Sequence, residues 1–176
     1  MTRSPLLIAS LALCLALAGC GGRTIGKTID DQSTPSKVRA KVEAASPDLK
    51  TNSRVVVASY NGIVLLAGQT PRADLKELAG QAAQSAQGVR RVHNELQVTQ
   101  PASALAILND STITTKITTQ LLADSKVPSS QIKVITENGI VYLLGLVTRQ
   151  EAQLATSIVQ GVSGVQKIVR LFEYTN

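Results

Sequence analysis

Few residues of this 176-residue chain are equipped for covalent chemistry: it holds two cysteines, Cys14 and Cys20, and one histidine, His93. A metal centre needs three or four converging ligands and an enzyme needs a nucleophile with a base beside it, and this inventory supplies neither. The reading therefore predicts no catalytic residue, no bound metal and no small-molecule cofactor. Asp30 and Asp31 are paired carboxylates, yet their Gly-, Thr- and Asp-rich surroundings offer no apolar cavity to shift their ionisation. His93 has the strand parity opposite to Leu96 and Val98 and reads as an exposed position. Neither Gly21-Gly22 nor Gly161-x-x-Gly164 lies between a strand and a helix start with a lysine, as a phosphate loop requires. The pattern that remains lies in residues 111–126. Thr112, Lys116 and Thr119 recur at i, i+4 and i+7, with Thr115 beside them and Leu122 and Lys126 beyond. A lysine flanked by hydroxyls has the chemistry of an anion contact, with Lys116 meeting a phosphate and the threonines bonding to headgroup oxygens. The competing reading of the same face is plain solvation.

The elements that position these residues begin after a leader. Residues 1–19 carry one cation, Arg3, and then the nearly unbroken apolar run LLIASLALCLALAG, the layout of a cleaved secretory signal. Leu17-Ala18-Gly19-Cys20 resembles the lipobox of bacterial lipoproteins, which implies an N-acyl chain and an S-diacylglycerol on Cys20. Cys14 then leaves with the leader and Cys20 is capped, so no disulfide is expected. Several acyl chains at ~0.8 kcal/mol per buried CH₂ make such an anchor permanent. Gly21 follows the cysteine where aspartate would mark retention at the inner membrane, so the expected location is the periplasmic face of the outer membrane. The net charge is +6, one unit of it from Arg3. That balance suits an anionic surface, but no run of like charge reads as a nucleic-acid tail. Export also argues against a nucleic-acid partner.

Residues 20–33 read as a tether. In SKVRAKVEAA, Val38, Val42 and Ala45 share one helical face. RVVVASY-NG-IVLLAG follows as two strands around Asn61-Gly62, the residue pair that most favours a two-residue hairpin turn. Thr70-Pro71 reads as the start of a second helix, burying Leu75, Leu78, Ala79, Ala82 and Ala86 and closed by Gly88, and VRRVHNELQV reads as a third strand. The grammar then restarts. Ile113, Ile117 and Leu121 stand at helical spacing, QIKVITE-NG-IVYLLG repeats the hairpin, Thr148 and Glu151 form a capping box, and GVQKIVRLFEY supplies the last strand. Hairpin positions of the two copies differ by 77 and later helix positions by 76, so one residue is gained or lost where the second helix starts. The boundaries are a leader over 1–19, a tether over 20–33, a first domain over 34–100, a linker over 101–110 and a second domain over 111–176. Domains this small bury only ~60% of their unfolded surface, so the copies are expected to pack together.

A helix, a hairpin with a strand-terminal glycine, a helix closed by Gly-Val and a final strand resemble the BON domain of bacterial envelope proteins. Gly62, Gly68 and Gly88 match in the first copy, and Gly139, Gly145 and Gly164 in the second. The segments RTIGKTIDD, NDSTITTKITTQLL and VITENGIVYLLGLVT extend the resemblance to the dual-BON outer-membrane lipoproteins over nearly the whole mature chain. The fold expected is α+β, with two tandem α-β-β-α-β domains, each a three-stranded mixed sheet covered by two helices. The resemblance implies a non-enzymatic protein that maintains outer-membrane integrity. It also implies binding of anionic phospholipid, such as phosphatidylglycerol or cardiolipin, through the second domain. Division sites and the outer-membrane β-barrel assembly machinery are the associations it suggests. The family commonly places tryptophan where this chain has Thr112, and a threonine does not insert at an interface as an aromatic does. From Pro101 onward six basic residues face five acidic ones, so bulk charge adds little. The alternative is an adaptor for outer-membrane protein assembly or envelope stress response without direct phospholipid binding.

Overall fold

The structure, a computed structural model, describes residues 25–175, and their side chains from residue 33 onward. The leader, the lipobox and Cys20 lie outside the described residues. The order is α1 (Ile25–Ala45), α2 (Pro47–Thr51), β1 (Arg54–Tyr60), β2 (Ile63–Thr70), α3 (Ala73–Gln84), β3 (Arg91–Asn94) and β4 (Gln97–Val98). A second unit follows as α4 (Ala104–Ala123), β5 (Ile132–Glu137), β6 (Ile140–Val147), α5 (Arg149–Gln160) and β7 (Lys167–Tyr174).

Each unit is built on one hairpin. Asn61 and Gly62 have φ of 51° and 75°, and Asn138 and Gly139 have 50° and 74°. Two positive φ angles in succession give the turn whose twist matches its strands, and this is why both copies spell Asn-Gly. β1 pairs antiparallel with β2, from Arg54 opposite Gln69 to Tyr60 opposite Ile63. After α3 the chain returns parallel to β2 as β3, with Val64 opposite Val92, and resumes as β4 beyond a break at Glu95 and Leu96. In the second unit β5 pairs antiparallel and β7 parallel with β6, and β7 runs unbroken over eight residues. Both sheets are mixed and the fold is α+β, with the third strand of the first sheet divided in two.

Central strands with both faces covered read as continuous apolar runs, and every residue of β2 is buried. On one face, Val64 and Leu66 meet Val38 and Val42 of α1 and Leu75, Ala79 and Ala83 of α3. The second unit repeats this with Val141 and Leu143 against Ile113 and Ile117 of α4 and Ala155 and Val159 of α5. The opposite faces of the sheets pack on one another through Ala58, Tyr60, Leu65 and Ala67 from the first and Tyr142, Leu144 and Leu171 from the second. Helices are therefore outermost and the two sheets innermost, and neither small domain stands alone. Arg54 and Glu137 close one end of this interface with two charge-assisted hydrogen bonds, at 2.9 and 3.1 Å. Arg90 and Asn61 both hold Glu173 at the other end, at 3.1 and 2.7 Å. Burial pushes the Tyr142 phenol up to about 12, with Glu95 and Glu137 adding to the shift.

Several boundaries move. Residues 25–33, read as tether, are helical and begin α1, although Pro35 contributes no amide to it. Residues 104–110, read as linker, are the first turns of α4, because the Ser103 hydroxyl caps the helix by accepting from the Ala106 amide at 3.2 Å. Ala45 is exposed at the end of α1. Thr70 does not cap α3: it ends β2 and accepts from the Ser53 hydroxyl at 3.1 Å, and α3 starts after Arg72. The residue by which the copies differ lies here, since Pro71 and Arg72 join strand to helix where Thr148 alone does so later. The Thr148 capping box forms in full, with Thr148 Oγ1 accepting from the Glu151 amide and Glu151 Oε2 accepting from the Thr148 amide.

Candidate functional site

α4 runs for twenty residues, about 30 Å at 1.5 Å per residue. Its inward face is fixed by Ile113, Ile117 and Leu121, all buried against β6 and α5. Asp110 is also buried, and its two carboxylate oxygens accept from the amides of Asn138 and Gly139 at 2.7 and 2.9 Å. A helix side chain thereby clamps the hairpin turn and fixes the depth at which α4 sits.

The outward face follows from that constraint. Thr112, Thr115, Lys116, Thr119 and Leu122 are all exposed on α4, and Lys126 is exposed just beyond it. The longer helix adds Leu105 and Leu108, 68% and 65% exposed, to Leu122 at 66%. Positions 105, 108, 112, 115, 119 and 122 alternate spacings of three and four and fall within an arc of about 100°. The linker reading concealed the first two leucines. Ser103 as an N-cap before ALAIL was the signal that would have found them.

The threonines do something the spacing did not foretell. Thr112 donates its hydroxyl to the Leu108 carbonyl at 3.0 Å and Thr115 donates to Ser111 at 2.9 Å. Ser111 and Thr118 bond one turn back in the same way, to Ile107 and Thr114. With those hydroxyl protons committed to the helix, the groups left facing out at Thr112 and Thr115 are largely methyls. The stripe from Leu105 to Leu122 is therefore more apolar than its composition suggests.

The predicted residues divide between its flanks. Thr112 and Lys116 share a groove of about 350 Å³ with Asn109, Gln166 and the Asn138-Gly139 turn. Thr115 lines the opposite flank, a cleft of about 410 Å³ that reaches Val56 and the Arg54–Glu137 pair of the domain interface. Lys126 lies past the helix end, where its amide bonds to the Asp124 carboxylate at 2.9 Å. His93 is not exposed as expected: it is half-buried opposite Leu65, and burial, helped by Arg91 and opposed by Glu95, holds its pKa below the usual value. Among the described residues no helix is long and apolar enough to cross a membrane, and no three His, Cys, Asp or Glu side chains gather as a metal site.

The family model for the BON domain matches this chain twice, over residues 30–100 and 109–176. The chain belongs to the BON-domain family. The two matches coincide with the two helix-hairpin-helix-strand units, and the second includes α4 from Asn109 onward. Across 99% of both sequences the chain is 39% identical to the protein named outer membrane lipoprotein DolP of Haemophilus influenzae. It is 36% identical to a 21 kDa hemolysin of Actinobacillus pleuropneumoniae, over 86% of this chain and 78% of that protein. With the osmotically-inducible protein Y of Escherichia coli it shares 31% identity, over 82% of this chain and 72% of the relative. All three alignments cover more than four-fifths of this chain.

Proposed function

We propose that this BON-domain protein is a non-enzymatic lipoprotein of the outer membrane, held at the periplasmic face by acyl chains on Cys20, and that it binds anionic phospholipid through the outward face of α4. The observation that carries the reading is the stripe of Leu105, Leu108 and Leu122 joined by threonines whose hydroxyls turn back to the helix, with Lys116 on its flank. A helix with a buried stripe already satisfied inside its domain rarely leaves three more leucines in water. Lying in the headgroup plane, such a face buries its apolar groups while lysine meets phosphate, and phosphatidylglycerol or cardiolipin supplies that phosphate. Thr112 in place of an aromatic keeps the contact shallow. The name of the Haemophilus relative and the sequence around Cys20 support the location. A contribution to outer-membrane integrity would follow from a protein that ties itself to the leaflet at two places, and the resemblance to dual-BON lipoproteins extends the proposal to division sites.

The test uses the unlipidated chain from Gly21 to Asn176, mixed with vesicles of phosphatidylglycerol or phosphatidylcholine at low and physiological salt. Sedimentation with the anionic vesicles alone, weakened by Lys116→Glu and by Leu105→Asp, is the expected result. Sedimentation with neither vesicle sinks the reading.

A further inference from the structure

We infer that the outer edge of β7 is a strand-addition site for an extended, acidic segment of a partner protein. Among the described residues there are four sheet edges, and three are blocked. Ser59 of β1 stands opposite Val64 in the wide pair of its hairpin, so its carbonyl points away from β2, and Lys133 Nζ caps that carbonyl at 3.2 Å. β5 lies under α4, where Thr114 donates to the Thr136 hydroxyl at 2.8 Å. The β3–β4 edge is interrupted at Glu95 and Leu96. β7 has none of these protections: it is continuous for eight residues and stands last in its sheet. A long unbroken edge is a template for another strand.

The Thr175 amide bonds inward to the Val147 carbonyl at 3.0 Å in step with the ladder, and alternation along the strand turns the amides of Ile168, Arg170 and Phe172 to the open side. Charge selects the occupant. Of the three charged residues on β7, Glu173 is engaged by Arg90 and Asn61, whereas Lys167 and Arg170 are exposed and make no ion pair among the described residues. Both line a groove of about 430 Å³ with Thr156 and Gln160 of α5, open to the side chains of an added strand. Backbone bonds would hold the segment and its carboxylates would meet Lys167 and Arg170. Because β7 and β5 are opposite edges of the sheet, a phospholipid-bound α4 leaves this site open.

The experiment follows amide hydrogen exchange in the unlipidated chain while adding a decapeptide of alternating threonine and glutamate, or its threonine–lysine counterpart. The acidic peptide is expected to slow exchange at Ile168, Arg170 and Phe172 at least tenfold, and the basic one to leave it unchanged. Lys167→Glu with Arg170→Glu should reverse that preference. The ranking of the two peptides in the unaltered protein stands by itself should the double variant fold poorly. Equal protection by both peptides, or protection by neither, overturns the proposal. So does protection that grows with protein concentration alone, since a second copy would then occupy the edge.

Discussion

α1 and α4 cover equivalent faces of the two sheets with buried positions four residues apart, Thr34, Val38 and Val42 in one helix and Ile113, Ile117 and Leu121 in the other. Their outward faces have diverged. α1 shows Ser36, Lys37, Arg39 and Lys41 to solvent and carries Pro35 within its length, whereas α4 shows three leucines and a row of threonines that hydrogen-bond to its own backbone. The fold constrains only the stripe that meets the sheet. The free stripe is charged in one copy and largely apolar in the other, and the proposed phospholipid contact rests on that difference. The third strands differ in the same sense, broken in the first domain and continuous in the second. The first domain presents a charged helix face and a divided edge strand, the second an apolar stripe and an unbroken one.

The comparison can be broken first at the glycines that end each hairpin. Gly68 has φ of 111° and a Cβ there would run into the Arg54 carbonyl, while Gly145 faces the Gln131 carbonyl without a positive φ. Gly68→Ala combines backbone strain with the clash and is expected to cost about 3–5 kcal/mol in urea unfolding, against about 1–3 for Gly145→Ala. Equal losses would show that the hairpins are stressed alike.

Arg54→Ala comes next. It leaves Glu137, 5% exposed, without its partner and should cost about 2–3 kcal/mol, while Arg90→Ala at the more open end should cost about 1 or less. Leu105→Asp and Leu108→Asp should each leave unfolding midpoints nearly unchanged and weaken sedimentation with phosphatidylglycerol vesicles about tenfold, or ~1.4 kcal/mol. Lys41→Asp at the exposed side of α1 should leave that binding unaltered. A comparable loss there would remove the distinction between the two helices.

The smallest effect is expected at His93. Burial lowers its folded pKa below the usual histidine value of about 6.5, so the unfolded chain takes up a proton first as pH falls. Stability is unaffected by this group above about 6.5 and declines as pH drops through that value toward the folded pKa. Urea midpoints between pH 5 and 8 should show the decline, and His93→Gln should flatten it. An unchanged slope would place the sensitivity elsewhere in the interface.

Periodicity and turn chemistry made most of the fold legible. Asn61-Gly62 and Asn138-Gly139 set both hairpins, the valine and isoleucine spacings set the buried stripes, and Thr148 with Glu151 set the start of α5. The candidate face was half legible: Thr112, Thr115, Lys116, Thr119 and Leu122 came from spacing, while Leu105 and Leu108 were lost to a misplaced helix start. The segments IGKTIDDQS and ALAILN carry weak local signals although both are helical, and a single serine cap marks the start of the second.

By itself the sequence determined that one α-β-β-α-β unit is written twice, because period and turn residues act over a few positions and need no partner to be read. Only the tertiary structure decided that the two sheets face each other, that Arg54 meets Glu137 across 83 residues of chain, and that His93 is half-buried. It also decided which helix face and which strand edge stay free. Those properties depend on what lies on the far side of each element, and side chains on both faces of a central strand read alike as apolar until a second layer covers one of them.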